Sequence, residues 1–390
     1  MPAQAKGEPY ISSQSETKDA LDLFAKAGGF VLPKRLYVLS GEPVGLYLAA
    51  IVPVPDPEVF RYAITCTCDF ARLERHRVLL SPPPSGTGSY RLEIEAQTLA
   101  GAPVGRAALD VIMVAADAGR DQSFEMLMVG DSLGHQSRFP NELSRLLARP
   151  GNPAMKFVGT HRPGGAIIPH EHYGGWRFIS FYTVMNQDVK NYHTDRSPFV
   201  FPGPDGRGDF DVRRYLDGPL AGARPRNVHI QLGINDAFAL DPDGPGNAKE
   251  LSDILGHADI LIAGIRKALP DAVITVGSVI EANATERAYI ESYRAYPQFH
   301  SPWRWRKGQL ALARRMVAHF ENRAAERIHL VPTHMTVDPL DGYNAHVWVP
   351  EGVNYDLSNA VHPSAIGDRQ LAGAIYAVVK AELAGMLAKP

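Results

Sequence analysis

The chain has 390 residues, and at the ~150 residues of a usual domain that length sets an expectation of two or three domains. With 45% hydrophobic and 21% charged residues it can bury ordinary cores and falls outside the composition of a disordered chain. Lys and Arg number 40 against 42 for Asp and Glu, a formal charge of -2 that offers no basic field to a polyanion and excludes nucleic acid as an expected partner.

The longest mostly apolar run, Val44 to Val54, is interrupted by Pro53 and falls well short of the ~20 residues of a membrane-spanning helix, so no membrane crossing is expected. The opening residues, MPAQAKGEPYISS, lack the apolar stretch of a secretory signal. The cytoplasm is therefore the default location, with a secreted or periplasmic one open to a processed start. Cys66 and Cys68 stand two apart on an expected strand, facing one way and poorly placed to pair, and read as free half-buried thiols.

In chain order, residues 1–31 read as a tail carrying one short amphipathic helix near Ala20 to Ala27. From residue 32 to 118 the punctuation is dense (Pro53, Pro55, Pro57, then SPPPSG) and the segments between are short. Leu92, Ile94 and Ala96 alternate with Arg91, Glu93 and Glu95, and Ala107, Leu109, Val111 and Met113 repeat the pattern. This spacing predicts a small β-sandwich of immunoglobulin-like size.

From residue 122 to 390 the rhythm becomes strand, loop, helix. Strands are expected at Phe124 to Val129, Lys156 to Thr160, Val228 to Leu232, Val273 to Val279 and Ile328 to Val331. Helices are expected at Arg138 to Ala148, Lys249 to Leu269, Trp303 to Arg323 and Pro363 to Leu387. The alternation predicts an α/β domain, a parallel sheet covered by helices on both faces, whose ligands sit beyond the carboxyl ends of the strands.

Four short segments fall at that edge. Gly130-Asp131-Ser132 follows the first expected strand; alone it reads as a turn or as a nucleophile beside a helix start whose N–H groups face a developing oxyanion. His170-Glu171-His172-Tyr173-Gly174-Gly175-Trp176 contains a Gly pair that lets backbone approach a ligand. Its histidines, with His161, lack the cysteines or helical spacing of a zinc site, so no metal is expected. Gly233-Ile234-Asn235-Asp236 ends a strand, and Asn235 reads as a cap or as an amide donor. Asn359-Ala360-Val361-His362-Pro363 precedes the last helix, where the proline gives a rigid helix start and His362 a reproducible position for a base.

Taken together, the four segments supply Ser, Gly, Asn and His in the order that names the SGNH hydrolases, the GDSL esterase superfamily, which the chain resembles from about Met126 to Leu387. The stretches GDSLGHQSRFPNELSRLLARPGN, FVGTHRP, HEHYGGW and NAVHP, behind a β-rich front, also look like a bacterial subgroup with an N-terminal immunoglobulin-like module. The resemblance implies a three-layer, flavodoxin-like parallel sheet and a serine esterase working through an acyl-enzyme without metal or organic cofactor. Ser132 would be the nucleophile and His362 its base. The N–H groups of Ser132 and Gly175 and the amide of Asn235 would form the oxyanion hole.

Two positions depart from the family pattern. Asn359 stands where relatives carry the Asp that orients the catalytic His. In trypsin the same Asp to Asn change costs ~10⁴ in turnover, so Asp356, Asp338, Asp341 or a backbone carbonyl become candidates to orient His362. His172 stands where relatives often have a small residue and, with Trp176, is a candidate substrate contact; a plain surface histidine is the alternative. Tyr173, Trp303 and Trp305 are further candidate stacking faces. The expected substrate is a small acyl ester, foremost an O-acetyl group on a carbohydrate. An O-acyltransferase using the same residues and a degenerate glycan-binding protein are the alternatives.

Overall fold

The computed structural model describes residues 14–185, 196–238, 240–285, 288–289, 301–344 and 360–387, with side chains from residue 18 onward. Its first seven strands are β1 (Arg35–Leu39), β2 (Val44–Tyr47), β3 (Phe60–Cys66), β4 (Ala71–Leu73), β5 (Arg77–Leu80), β6 (Gly88–Thr98) and β7 (Pro103–Val114). They form a four-stranded sheet in the order β1-β7-β6-β3 and a three-stranded sheet in the order β2-β5-β4. The period of two in β6 sends Leu92, Ile94 and Ala96 inward, where they share one apolar core with Leu46, Val78, Leu80 and Val111. Both sheets therefore cover the same core.

Two features of this front region differ from the sequence reading. The helix Gln14–Lys26 does not belong to a free tail: Phe24 and Phe30 are buried in the front core, ring against ring with centroids 5.2 Å apart. Strand β1 is apolar on both sides because it serves two cores. Leu36 and Val38 face the front cluster, whereas Tyr37 and Leu39 belong to the cluster of the following sheet. Cys66 and Cys68 are free and half-buried, and burial pushes the Cys66 thiol up to about 11.

The remaining strands are β8 (Ser123–Gly130), β9 (Ala154–Val158), β10 (Glu171–His172), a small antiparallel ribbon of β11 (Val200–Pro202) and β12 (Gly208–Phe210), then β13 (Asn227–Gln231), β14 (Val273–Gly277) and β15 (Ile328–Val331). β8 pairs with β9 along its first half and with β10 at its end, and on its other side with β13, followed by β14 and β15; every pair is parallel. With β9 and β10 sharing one position beside β8, the order along the chain is 2-1-3-4-5, which reverses between β8 and β13, where ligands of such sheets sit beyond the carboxyl ends. All five residues of β13 and of β14 are buried, as in a sheet covered on both faces. The polar members of β13 are matched inside: Asn227 donates to Glu382 at 2.7 Å, and the His229 ring, held neutral at about 3 by burial, lies 3.0 Å from the Thr275 hydroxyl.

Helices Arg138–Leu147, Asn247–Ala268, Pro302–Phe320 and Ala365–Leu383 pack their apolar faces into the core of this sheet. At about 1.5–3 kcal/mol per buried Leu or Ile, residues such as Leu261, Ile265, Leu371 and Ile375 are a principal part of what holds the layers together. The last helix is capped by Ser364, whose hydroxyl accepts from the Ile366 N–H at 3.2 Å; Pro363 stands one position before the cap rather than inside the helix. None of the described helices is long and apolar enough to cross a membrane.

The front sheets are bolted to the body by charged side chains that reach backbone carbonyls. Arg306 donates to the Pro55 and Val54 oxygens at 2.9 and 2.7 Å while its guanidinium also pairs with buried Glu281. Arg314 bonds the Gly28 and Gly29 carbonyls, and His334 lies 3.2 Å from the Val31 oxygen.

Candidate active site

Each candidate group is set at the sheet's carboxyl edge by the strand before it. β8 ends at Gly130; the Asp131 carboxylate then caps the short helix Ser132–His135 by accepting from the Leu133 N–H at 3.0 Å, so Ser132 opens a helix directly beyond the sheet. On one side β10 ends beside Gly130, and the Tyr173 N–H donates to the Gly130 oxygen at 3.0 Å. The loop after it turns at Gly175, whose φ of +72° is the left-handed region that favours glycine. On the other side β13 leads through Gly233 to Asn235, whose amide donates to the Trp176 carbonyl at 2.9 Å. Ser132, Gly175 and Asn235 thus stand at the ends of three adjacent strands, and Asn235 is bonded to the loop that contains Gly175.

Ser132 and His362 line the same cavity, about 240 Å³, together with Leu133, His135, Gln136, Arg138, Pro363 and Asp368. The N-cap at Ser364 fixes where the chain leaves the loop, and Asn283 donates its N–H to the Ala360 oxygen at 3.0 Å, holding the approach to His362. Gly175 and Asn235 are not part of this lining; strand adjacency and the Asn235–Trp176 hydrogen bond relate them to Ser132. Asn359 and Asp356 lie outside the described residues.

Two expected substrate contacts are corrected. The His172 side chain is completely buried, and its ring fills the space left by two glycines: a Cβ added at Gly130 or Gly134 would come within 2.3 Å of it. Phe139 meets it edge-on at 5.3 Å. Burial holds His172 neutral, well below the usual range, and it supports the Ser132 turn from beneath. Trp176 is 3% exposed and packs on Tyr173 and Phe181 with centroids 4.6 and 4.9 Å away, so it too is core. The Tyr173 and Trp305 rings are buried as well, Trp305 stacked on Phe238. Asp338 and Asp341 cluster with His76 at the front sheets.

Several polar groups of the site were not singled out in the sequence. Glu171 is buried and accepts from the Tyr215 hydroxyl at 2.6 Å, from Thr160 at 2.9 Å and from Tyr173; burial pushes its carboxyl up while these donors oppose the rise. It anchors both ends of the 160–173 loop. Asp368 lines the cavity at 3% exposure, pushed up to about 7 by burial against the pull of Arg138. A helical projection from Ser364 places Asp368 one turn on, on the side of the helix start that also carries His362, and that spacing was the available signal. Asp131 and Asp236, the residues flanking Ser132 and Asn235, are buried; burial pushes both carboxyls up, and Asp236 adds to the rise at Asp131.

No family model matches the chain, and no curated protein matches it. Solved structures do. A family 3 carbohydrate esterase from Clostridium thermocellum is 18% identical, with a TM-score of 0.38 over 68% of this chain and 100% of that one. A carbohydrate esterase family 3 protein from Talaromyces cellulolyticus is 15% identical, with a TM-score of 0.35 over 67% of this chain and 98% of that one. An acetyl xylan esterase from the rumen bacterium Butyrivibrio proteoclasticus is 13% identical, with a TM-score of 0.35 over 92% of each chain. At these values the likeness assigns no function, and the site itself carries the reading below.

Proposed function

We propose that the protein is a serine carboxylic-ester hydrolase of the SGNH type, acting on small acyl esters through an acyl-enzyme. The observation that carries this reading is that Ser132 and His362, 230 positions apart in the chain, line one small cavity at the carboxyl edge of the parallel sheet. In the proposed reaction His362 removes the Ser132 proton as the hydroxyl attacks the ester carbonyl, and then protonates the leaving alcohol. Water repeats the sequence on the acyl-enzyme. The Ser132 and Gly175 N–H groups and the Asn235 amide would receive the oxyanion, each donor worth about 3 kcal/mol of barrier.

The cavity volume suits an acyl group of acetyl size, and its rim of Arg138, Gln136 and Asp368 suits a hydroxylated alcohol, so an O-acetylated carbohydrate is the proposed substrate class. The front sheets are proposed to be an immunoglobulin-like β-sandwich over residues 32–118, with the catalytic domain at 122–390. The test is release of acetate from an aryl acetate and from acetylated xylan, with fluorophosphonate labelling of Ser132. Loss of both turnover and labelling in Ser132→Ala supports the proposal. Labelling elsewhere, or turnover that survives the substitution, sinks it. Transfer to a sugar hydroxyl in preference to water would instead make the chain an acyltransferase.

A further inference from the structure

Three metal-ligating side chains converge across the seam between the front sheets and the body. His76 comes from the turn between β4 and β5, and Asp338 and Asp341 from the loop after the helical turn Thr333–Thr336. One donor atom from each lies within 4.8 Å of the others, and among the described residues this is the group with such spacing. Asp338 is 1% exposed. Its Oδ1 accepts from the Leu340 N–H at 2.9 Å, but its Oδ2 faces His76 Nε2 at 3.8 Å, too far for a hydrogen bond. His76 Nε2 is itself buried and has no hydrogen-bond partner. A buried imidazole nitrogen left unpaired in this way is costly unless a further body joins it to the carboxylate beside it. Ligands about 2.0–2.2 Å from a tetrahedral zinc ion stand about 3.5 Å from one another, near the 3.8 Å between His76 and Asp338.

We propose that His76, Asp338 and Asp341 bind a divalent transition-metal ion, zinc by the mixed imidazole and carboxylate donor set, that staples the front sheets to the body. Asp341 is exposed, which leaves the ion an entry path and a coordination position for water. The outer groups are in place: the Tyr47 ring stacks on His76, and Gln370 donates to the Tyr47 hydroxyl at 2.9 Å while accepting from the Asp338 N–H at 2.8 Å. The same loop reaches the candidate active site. Gly342 donates to the Asp338 oxygen, and the Gly342 oxygen accepts from the N–H and hydroxyl of Ser364, the cap two residues after His362. The ion would therefore steady the turn on which His362 sits. It takes no part in the chemistry, and the proposal holds whether or not the esterase reading does.

The test uses the full chain stripped with a chelator, then titrated with zinc chloride by calorimetry and followed by thermal melting. One zinc per chain at a Kd of about 1 µM or tighter, with Tm raised by about 3 °C or more in excess zinc, is the expected result. His76→Gln and Asp341→Asn change exposed or half-exposed side chains, and each is expected to weaken binding at least tenfold. No binding to the wild-type chain, or binding that both variants retain, overturns the proposal. Magnesium chloride binding as tightly as zinc overturns the choice of metal.

Discussion

The side-chain amide of Asn235 donates to the backbone oxygen of Trp176 at 2.9 Å, joining the turn after β13 to the loop after β10 across the end of β8. An amide carries two N–H donors. One is spent on Trp176, which fixes the plane of the group; in the proposed mechanism the other would serve the oxyanion. A donor held in this way loses nothing to reorganisation when charge develops on a bound carbonyl.

Replacing Asn235 by Ala is therefore expected to lower kcat by about 10²–10³-fold with little change in KM, since the lost donor acts on the transition state. Steady-state kinetics on an aryl acetate decide it. A rise in KM at constant kcat would mean that Asn235 contacts the ground state instead.

In the proposed site Asn359, which lies outside the described residues, would supply an amide where a carboxylate usually holds the imidazole of the catalytic His. An amide oxygen fixes the tautomer but adds no charge to favour imidazolium, so its removal should cost less than loss of the base. We expect His362→Ala to reduce kcat roughly 10⁴-fold or more and Asn359→Ala about 10²-fold or less. Equal losses would make Asn359 an indispensable member of the catalytic set.

What the sequence reveals of the fold and of the candidate site depends on how local each residue's surroundings are. The carboxyl-terminal half of β8 and all of β14 are buried on both faces, and their apolar runs state as much in sequence, whereas the buried Asn227, His229 and Gln231 of β13 do not. Ser132, Asn235 and His362 follow or precede such elements directly, so local pattern places them. The burial of His172 and Trp176 is not legible in sequence because their neighbours are distant in the chain: nothing near residue 172 says that Gly130 and Gly134 leave a space of imidazole shape. Asp368 and Arg138 meet only through the packing of the last helix beside the Ser132 turn, and His76 reaches Asp338 only once the front sheets are docked. The dual role of β1, with alternate residues in two cores, likewise belongs to tertiary structure.

The fit of His172 against Gly134 gives a stability test independent of catalysis. A methyl group at residue 134 would overlap the ring at 2.3 Å, and the ring, enclosed by Gly130 and Phe139, has no free direction to move. Gly134→Ala is expected to destabilise the fold by about 1–3 kcal/mol through overpacking. Adding His172→Ala should recover part of that loss, so that the double variant is less destabilised than the sum of the singles by more than about 0.5 kcal/mol. Additive losses in urea melts would show that the ring is not the obstacle.

The carboxyls of Asp131 and Asp236 give a pH signature. Burial pushes Asp131 up to about 8, opposed by the Leu133 N–H and reinforced by Asp236; burial likewise pushes Asp236 up to about 7 against the pull of Arg177. One oxygen of each is buried without a hydrogen-bond partner among the described residues. Because both folded values lie above the ~3.9 of an unfolded Asp, the native state holds more protons than the unfolded chain between about pH 4 and pH 8. Stability from these two groups is therefore greatest near pH 4 and is lost as the pH rises through 7 and 8. Asp131→Asn keeps the helix cap, and Asp236→Asn keeps the shape, while neither side chain ionises. Each variant is expected to gain on the wild type as pH rises, by about 2–4 °C in Tm for every kcal/mol recovered, with no gain from this source below pH 4. Melts at pH 4, 6 and 8 test the sign: variants that fall furthest behind the wild type at pH 8 would mean that both carboxylates are ionised and paired in the folded protein.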